Sequence, residues 1–441
     1  MGEGGMASIE FEVLGKAYRI LAEFPLCDNC LGRLFAGYGR GLSNRDRGRA
    51  IKTLLLMKIH GEAGRGSLSE DKKGEVKRVL NNMGSISETV LREVFGVEPE
   101  FKPCYICGGD LEVFLDSLTR KVVDHLRGLD LRIRSFVVGC RVARDIIERE
   151  ENLCFVHGIE GSESIRSEIK RELGKRVMKL TGLRVDFDRP DVVVLVSVPG
   201  AEVMVNIMPL LILGRYWKLG RRISQALWIS RSGVRKYPFS IEEALEPLIE
   251  VFDASDLILH AAGREDVDVR MLGGGRHFVV ELKEARNRLV DLNAAALKVN
   301  ESQSVVKIVL EREVSRRDVR LIKVDVARKP KVYKCLVLSN EELKPEDLKL
   351  IEEYFNGIRI KQRTPKRVLH RRPDILRIKK VYCVRTRWIN SHVFEALVKC
   401  EGGLYVKELV SGDEGRTTPS FSEVTGKELK CIELDVVFAH E

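Results

Sequence analysis

The stretch GREDVDVRMLGGGRHFVVEL, residues 263–282, decides the fold. On a strand, residues two apart share a face. Arg264, Asp266, Asp268 and Arg270 then line one side, and Val267, Val269 and Met271 the other. The apolar side must be buried, so four charges of alternating sign are held together above the core. Gly273 to Gly275 is flanked by strand patterns and reads as a hairpin turn. A nucleotide-binding loop would instead have to open a helix. From Leu257 onward strand patterns dominate, interrupted by one helix that Pro345 opens and Gly357 stops. Residues 237–441 are therefore expected to form an α+β domain on an antiparallel or mixed sheet. The charged face has two readings: a solvated surface laced with salt bridges, or a carboxylate kept ionised by flanking cations for nucleophilic or base chemistry.

Other segments of this half carry related features. Lys331 and Tyr333 in KVYKCLV share a strand face, where a core tyrosine is the default. In GGLYVKEL, read as a strand, Lys407 stands between Tyr405 and Leu409 and needs an acidic partner or a route to water. Residues 361–380, KQRTPKRVLHRRPDILRIKK, hold nine Lys/Arg and one acid, a density suited to phosphate contacts or to a plain solvated face.

Towards the N-terminus, Ile165, Ile169, Leu173, Val177 and Leu180 repeat at helical spacing, and Gly182 occupies a C-cap position. Basic residues crowd the rest of that helix. A strand at Val192–Val196 follows, so residues 113–232 read as a small basic α/β unit, with Ser230–Tyr237 as linker. Ser240 and Glu243 then form a capping box. In residues 1–112, CDNC and CYIC supply Cys27, Cys30, Cys104 and Cys107. Two such turns offer four thiolates to a tetrahedral structural zinc, or else leave two pairs of buried thiols. The other six cysteines sit among apolar residues and read as small core hydrophobes.

At 441 residues, two to four domains are expected. Lys+Arg 75 against Asp+Glu 65 leaves +10, which favours a polyanionic partner, nucleic acid before membrane. The most apolar window, Val192–Leu213, is broken by Pro199, Gly200, Glu202, Asn206 and Pro209, so no membrane helix is expected. Neither a secretory signal nor coiled-coil heptads are visible, which points to a cytoplasmic monomer with reduced cysteines.

The segment 263–282 resembles the active-site segment of the archaeal and eukaryotic T-arm tRNA pseudouridine synthases, the pseudouridine-54/55 synthases. KVYKCLV resembles that family's K-x-Y strand, QRTPKRVLHRRP its basic segment, and GLYVKELVSGDEGRT its G-T-Y-I-K segment. CDNCLGR and CYICGG resemble its paired zinc turns, and Ser164 to Leu213 resembles a THUMP module, an RNA-binding unit. The resemblance implies a multidomain α+β architecture: a zinc-stapled, THUMP-containing N-terminal part and a pseudouridine-synthase catalytic domain. By resemblance, Asp266 is the nucleophile, and Arg264 helps hold the target nucleotide out of the stack. Tyr333 packs against the uracil and takes the C5 proton, Tyr405 contacts substrate, and Lys407 is the basic group paired with the nucleophile. Leu404 stands where the family has Thr. Ser224 and Ala226 replace the Pro and Thr of its Pro-Gln-Thr-x-Trp segment.

The reaction so implied breaks the uridine N1–C1′ bond, turns the base and rejoins it through C5. It involves neither redox chemistry nor hydrolysis, so no catalytic cofactor is expected. The target nucleotide of a folded T-arm must be flipped out, at a few kcal/mol. Another THUMP-bearing tRNA-modifying enzyme, or a non-catalytic zinc-stapled tRNA-binding protein, also fits the composition.

Overall fold

The computed structural model describes residues 5–65, 69–230, 233–325 and 330–439 and divides into two compact units, Met1–Ile207 and Met208–Glu441. The first opens with helices α1 (Gly5–Glu23), α2 (Asp28–Leu34), α3 (Asn44–Gly64) and α4 (Glu70–Met83). It continues with α5 (Leu111–Arg127), β1 (Ser135–Val142), α6 (Arg144–Val156), α7 (Ile165–Thr181), β2 (Arg184–Val185), β3 (Val192–Val198) and β4 (Val203–Ile207). As the spacing predicts, α7 buries Ile165, Ile169, Leu173 and Val177, whereas Leu180, last of the series, is exposed; Ser164 caps its start and Gly182, in the left-handed conformation, its end. The sheet runs β2-β1-β3-β4, and Val192, Val194, Val196 and Val198 of β3 alternate into the core. One continuous hydrophobic cluster joins the N-terminal helices to this sheet. The expected divide near residue 112 therefore falls inside a shared core.

The second unit contains β5 (Leu210–Lys218), β6 (Ile223–Ser224), β7 (Phe239–Ser240), α8 (Ile241–Ala244), α9 (Pro247–Val251), β8 (Asp256–Ala261) and β9 (Arg270–Lys283). Then come α10 (Leu292–Ser302), β10 (Val306–Glu313), α11 (Arg316–Asp325), β11 (Lys331–Ser339), α12 (Pro345–Tyr354) and β12 (Arg359–Gln362). The chain closes with β13 (Arg377–Asn390), β14 (Val393–Cys400), α13 (Val406–Ser411), β15 (Thr417–Thr418), α14 (Phe421–Thr425) and β16 (Leu429–Ala439). A mixed sheet in the order β10-β5-β9-β16-β11-β14-β13-β12-β15 dominates, with β8 also on β9. The expected α+β class holds.

The boundary between the units and the glycine turn differ from the sequence reading. β5 pairs antiparallel with β9 and β10, so residues 210–218 belong to the second unit; the break lies at Ile207/Met208, not at 232–237. The supposed linker lies inside that unit, where Ile229 bridges Arg235; residues 231 and 232 fall outside the described residues. Nor do the three glycines make a hairpin. They lie within β9, where Met271 pairs Lys218 and Arg276 pairs Tyr216, so residues 272–275 bulge opposite Trp217 alone. Gly273 has φ +58°, and a Cβ there would meet the Val437 carbonyl oxygen at 1.9 Å. The bulge lets Arg270 and Met271 lie parallel to Asp435 and Val436 of β16 while the rest of β9 runs between β5 and β8.

Candidate active site and cysteine cluster

The register of the central strands builds the site. Val436 of β16 stands beside Met271 of β9 on one side and Tyr333 of β11 on the other. The segment just before β9 is thereby brought next to Tyr333. That segment, residues 264–269, is a loop and not the strand its alternation suggests: the Val269 amide donates to the Asp266 carbonyl at 3.0 Å. Buried Lys218 fixes it from below, its ammonium 3.0 Å from the Asp266 carbonyl and 3.3 Å from that of Val267. Arg221 donates to the Asp268 carbonyl at 2.9 Å, and Arg270 grips Asp435 through two hydrogen bonds of 2.9 and 2.5 Å.

Because the segment turns, its acids do not share one face. The Glu265 side chain is drawn into the core. It accepts from the Tyr216 hydroxyl at 3.0 Å and lies 2.8 Å from the Arg276 guanidinium. Burial opposes the Arg276 charge, but Glu265 outweighs it and holds the guanidinium above its ordinary range. Asp266 instead faces a cleft of about 460 Å³ whose walls include Arg264, Tyr333, Arg367, Leu404, Tyr405 and Lys407. The structure thus gathers all five expected substrate-site residues in one cleft.

One expected pairing fails. Lys407 does not hold Asp266: its ammonium closes on Asp268 at 2.6–2.8 Å. Burial works against the Asp268 charge, but the Lys407 hydrogen bond and charge, with smaller help from a backbone amide and Arg367, together hold the carboxyl below its usual range. The reason is local structure, since Tyr405 caps the short helix α13 and Lys407 lies in its first turn rather than on a strand. The cation on Asp266 is Arg367, Nη1 to Oδ2 at 2.8 Å. Arg367 also donates to buried Glu408 of α13, Nε to Oε1 at 2.6 Å. Burial disfavours the Arg367 charge, yet Glu408 and Asp266 together raise it above its ordinary range. In the sequence Arg367 is one cation of the basic run 361–380, read as phosphate contacts or a solvated face and, by resemblance, as part of the family's basic segment.

The tyrosines are held differently. Fully buried Gln362 pins the backbone of Tyr405, accepting from its amide at 2.8 Å and donating to its carbonyl at 3.0 Å. Arg372 donates to the Tyr405 hydroxyl at 3.0 Å, and the Arg367 and Arg377 guanidinium carbons lie 6.0 and 5.9 Å from its ring centroid. Tyr333 lines the cleft, and burial pushes its phenol up, so it stays protonated at neutral pH. Arg264 is exposed at the rim.

In the first unit the sulfurs of Cys27, Cys30, Cys104 and Cys107 all lie within 4.8 Å of one another, Cys27 and Cys107 at 3.7 Å. Four thiolates about 2.3 Å from a tetrahedral zinc stand ~3.8 Å apart, so the donor set and spacing suit that ion. Fully buried Arg33 donates to the Cys30 sulfur at 2.7 Å and to Glu150 at 2.7 Å, placing a positive charge against the cluster. Among the described residues no helix is long and apolar enough to cross a membrane.

Comparison with known proteins finds relatives along nearly the whole chain. The family model "Pus10, C-terminal" matches residues 211–439, and "Pus10 THUMP domain, archaeal" matches residues 118–197. Proteins named tRNA pseudouridine synthase Pus10 are 41% identical over 97% of this chain and 99% of the relative in Ignisphaera aggregans, and 42% over 98% and 99% in Aeropyrum pernix. The corresponding protein of Methanocaldococcus jannaschii is 37% identical over 96% of this chain and 94% of its own. An archaeal box H/ACA Nop10–Cbf5 structure matches at 14% identity with a TM-score of 0.26 over 45% of this chain and 43% of its own, too remote to add to the argument.

Proposed function

The chain belongs to the Pus10 family of tRNA pseudouridine synthases, and from that membership we propose that it isomerises uridine 54, uridine 55 or both in the T-loop of tRNA, with Asp266 as nucleophile. The observation that carries the assignment is the Asp266 carboxylate in a cleft beside Tyr333 and Tyr405, with Arg367 2.8 Å away as counter-charge. Asp266 attacks C1′ as the N1–C1′ bond breaks, the detached uracil turns, and C5 then closes on C1′ as the carboxylate leaves. Water takes the C5 proton and supplies one to N1, so atoms balance without redox change. Tyr333 gives the uracil a stacking surface worth about 1–3 kcal/mol. Its burial-raised phenol fits a stacking group better than a resting base for the C5 proton. Arg264 and Arg371 are exposed on the cleft wall and suit the phosphates flanking a flipped nucleotide.

Zinc at Cys27, Cys30, Cys104 and Cys107 would serve structure alone, since all four ligands lie in the first unit while the catalytic groups lie in the second. The reading is tested by tritium release from tRNA carrying [5-³H]uridine, without cofactor. Wild type should release tritium, whereas Asp266→Ala should release none at unchanged tRNA affinity. Release by Asp266→Ala at the wild-type rate would remove the nucleophile assignment.

A further inference from the structure

Among the described residues, one half-buried cation of the cleft has neither an anion nor a hydrogen-bond acceptor for its side chain. Arg276 faces Glu265, Arg367 is shared by Asp266 and Glu408, and Lys407 is closed on Asp268. Arg372 and Arg377 reach neutral oxygens, the Tyr405 hydroxyl and that of Thr364, and Arg264 and Arg371 are exposed to water. Lys331 differs. It opens β11 two residues before Tyr333, on the same strand face, lines the cleft and is half-buried. Its ammonium forms neither a hydrogen bond nor an ion pair with the described residues. The groups around it are Arg276 of β9, Glu265 of the preceding loop, already taken by Arg276, and Cys400 of β14. Burial pushes the Cys400 thiol up to about 12, so it is neutral. The cleft residues of β16, Leu434 and Val436, are apolar.

A partly desolvated ammonium is costly unless a ligand brings charge to it. An RNA substrate brings phosphates, and a uracil leaving C1′ brings a second charge that exists only during the reaction. Exposed Arg264 and Arg371 are available to the first. Lys331, beside the tyrosine on which the base would stack, is placed for the second. We infer that Lys331 is a further catalytic residue, donating from its ammonium to a carbonyl oxygen of the flipped uracil. It thereby stabilises the charge that the ring gains as N1–C1′ breaks. This rests on the Asp266-dependent isomerisation proposed above. The electron pair of the N1–C1′ bond passes into the ring and spreads over N1, O2 and O4 while the carboxylate bonds to C1′. Lys331 keeps its proton throughout, and the ring's pair forms the C5–C1′ bond when the carboxylate departs. Such fixed donors act strongly in a site closed to water.

A pH signature follows. Burial, and after it Arg276, bring the free-enzyme ammonium down to about 8. It is charged below that pH and neutral above, so kcat/KM should fall as pH rises through about 8. The test compares wild type, Lys331→Met and Lys331→Arg on an unmodified tRNA transcript. Lys331→Met should lose about 10²–10³-fold in single-turnover rate at saturating enzyme. Its tRNA Kd should stay within about threefold, with unchanged salt dependence. Lys331→Arg should keep most of the rate and lose the alkaline fall. A Lys331→Met enzyme with wild-type single-turnover rate but weaker, less salt-sensitive tRNA binding would make Lys331 a phosphate contact and overturn the inference. Two variants equally slow, beside a wild-type profile flat through pH 9, would make it structural and also overturn it. Inactive wild type would overturn the parent reading and this one with it.

Discussion

Arg367 shows how much of the site depends on one side chain. It touches Asp266 at 2.8 Å and buried Glu408 at 2.6 Å, tying the nucleophile to helix α13. Arg367→Met removes both contacts and strands the Glu408 carboxylate, so it should lower stability by about 1–3 kcal/mol. Its turnover should fall about 10²-fold or more, because the carboxylate loses its fixed position. Arg367→Lys keeps the charge but cannot fork between two carboxylates, so it should fall between wild type and Arg367→Met. Thermal melts and single-turnover rates measure the two effects separately, and wild-type turnover in Arg367→Met would show that Asp266 does not need this partner. Arg371 should behave in the opposite way. As an exposed phosphate contact, Arg371→Ala should reduce the slope of log K against log salt by about 0.7–0.9 while leaving single-turnover chemistry intact.

At the scale of elements, the glycine bulge in β9 sets the register that brings Arg270 beside Asp435, and with it the loop beside Tyr333. Gly273→Ala should cost about 1–3 kcal/mol from its left-handed backbone alone. The Cβ against the Val437 carbonyl oxygen adds to that cost and should slow turnover by disturbing the loop. Gly74, inside α4 with nothing within 4 Å of an added Cβ, is the control: alanine there should be neutral or add about 0.5–1 kcal/mol. Urea midpoints distinguish the two, and equal midpoints would remove the bulge from the account. Much of this level is legible in the sequence. Helix α7 with its caps, strand β11, helix α12 between Pro345 and Gly357, and the paired cysteine turns follow local rules that tertiary packing leaves intact. What alternation hides is the loop at 264–269. A tail of polar and apolar residues satisfies the strand period equally well whether its carbonyls bind a neighbouring strand or, as here, a buried lysine remote in sequence. The same long-range dependence conceals Arg367, one cation among nine in its run, and gives Lys407 to Asp268 instead of Asp266.

At the scale of the whole molecule, the two units divide labour by chemistry. The cysteine cluster belongs to the first, whose single core joins the N-terminal helices to the small sheet; the cleft belongs to the second. Chelation or Cys107→Ser should therefore accelerate proteolysis within residues 1–207 and lower that unit's melting temperature. The chemical step should persist wherever tRNA remains bound. A chemical step lost to chelator at unchanged folding and binding would contradict a purely structural metal. The surplus of +10 predicts tRNA binding that weakens steeply with salt, as phosphate contacts require. The central claim is an Asp266-dependent isomerisation of a T-loop uridine. Its most direct measurement is carbodiimide-stop primer extension on an unmodified tRNA transcript, incubated without cofactor with wild type or with Asp266→Ala. Stops at position 54 or 55 from wild type alone are the predicted result. Stops outside the T-loop, stops from both proteins, or none despite tight tRNA binding would contradict the account.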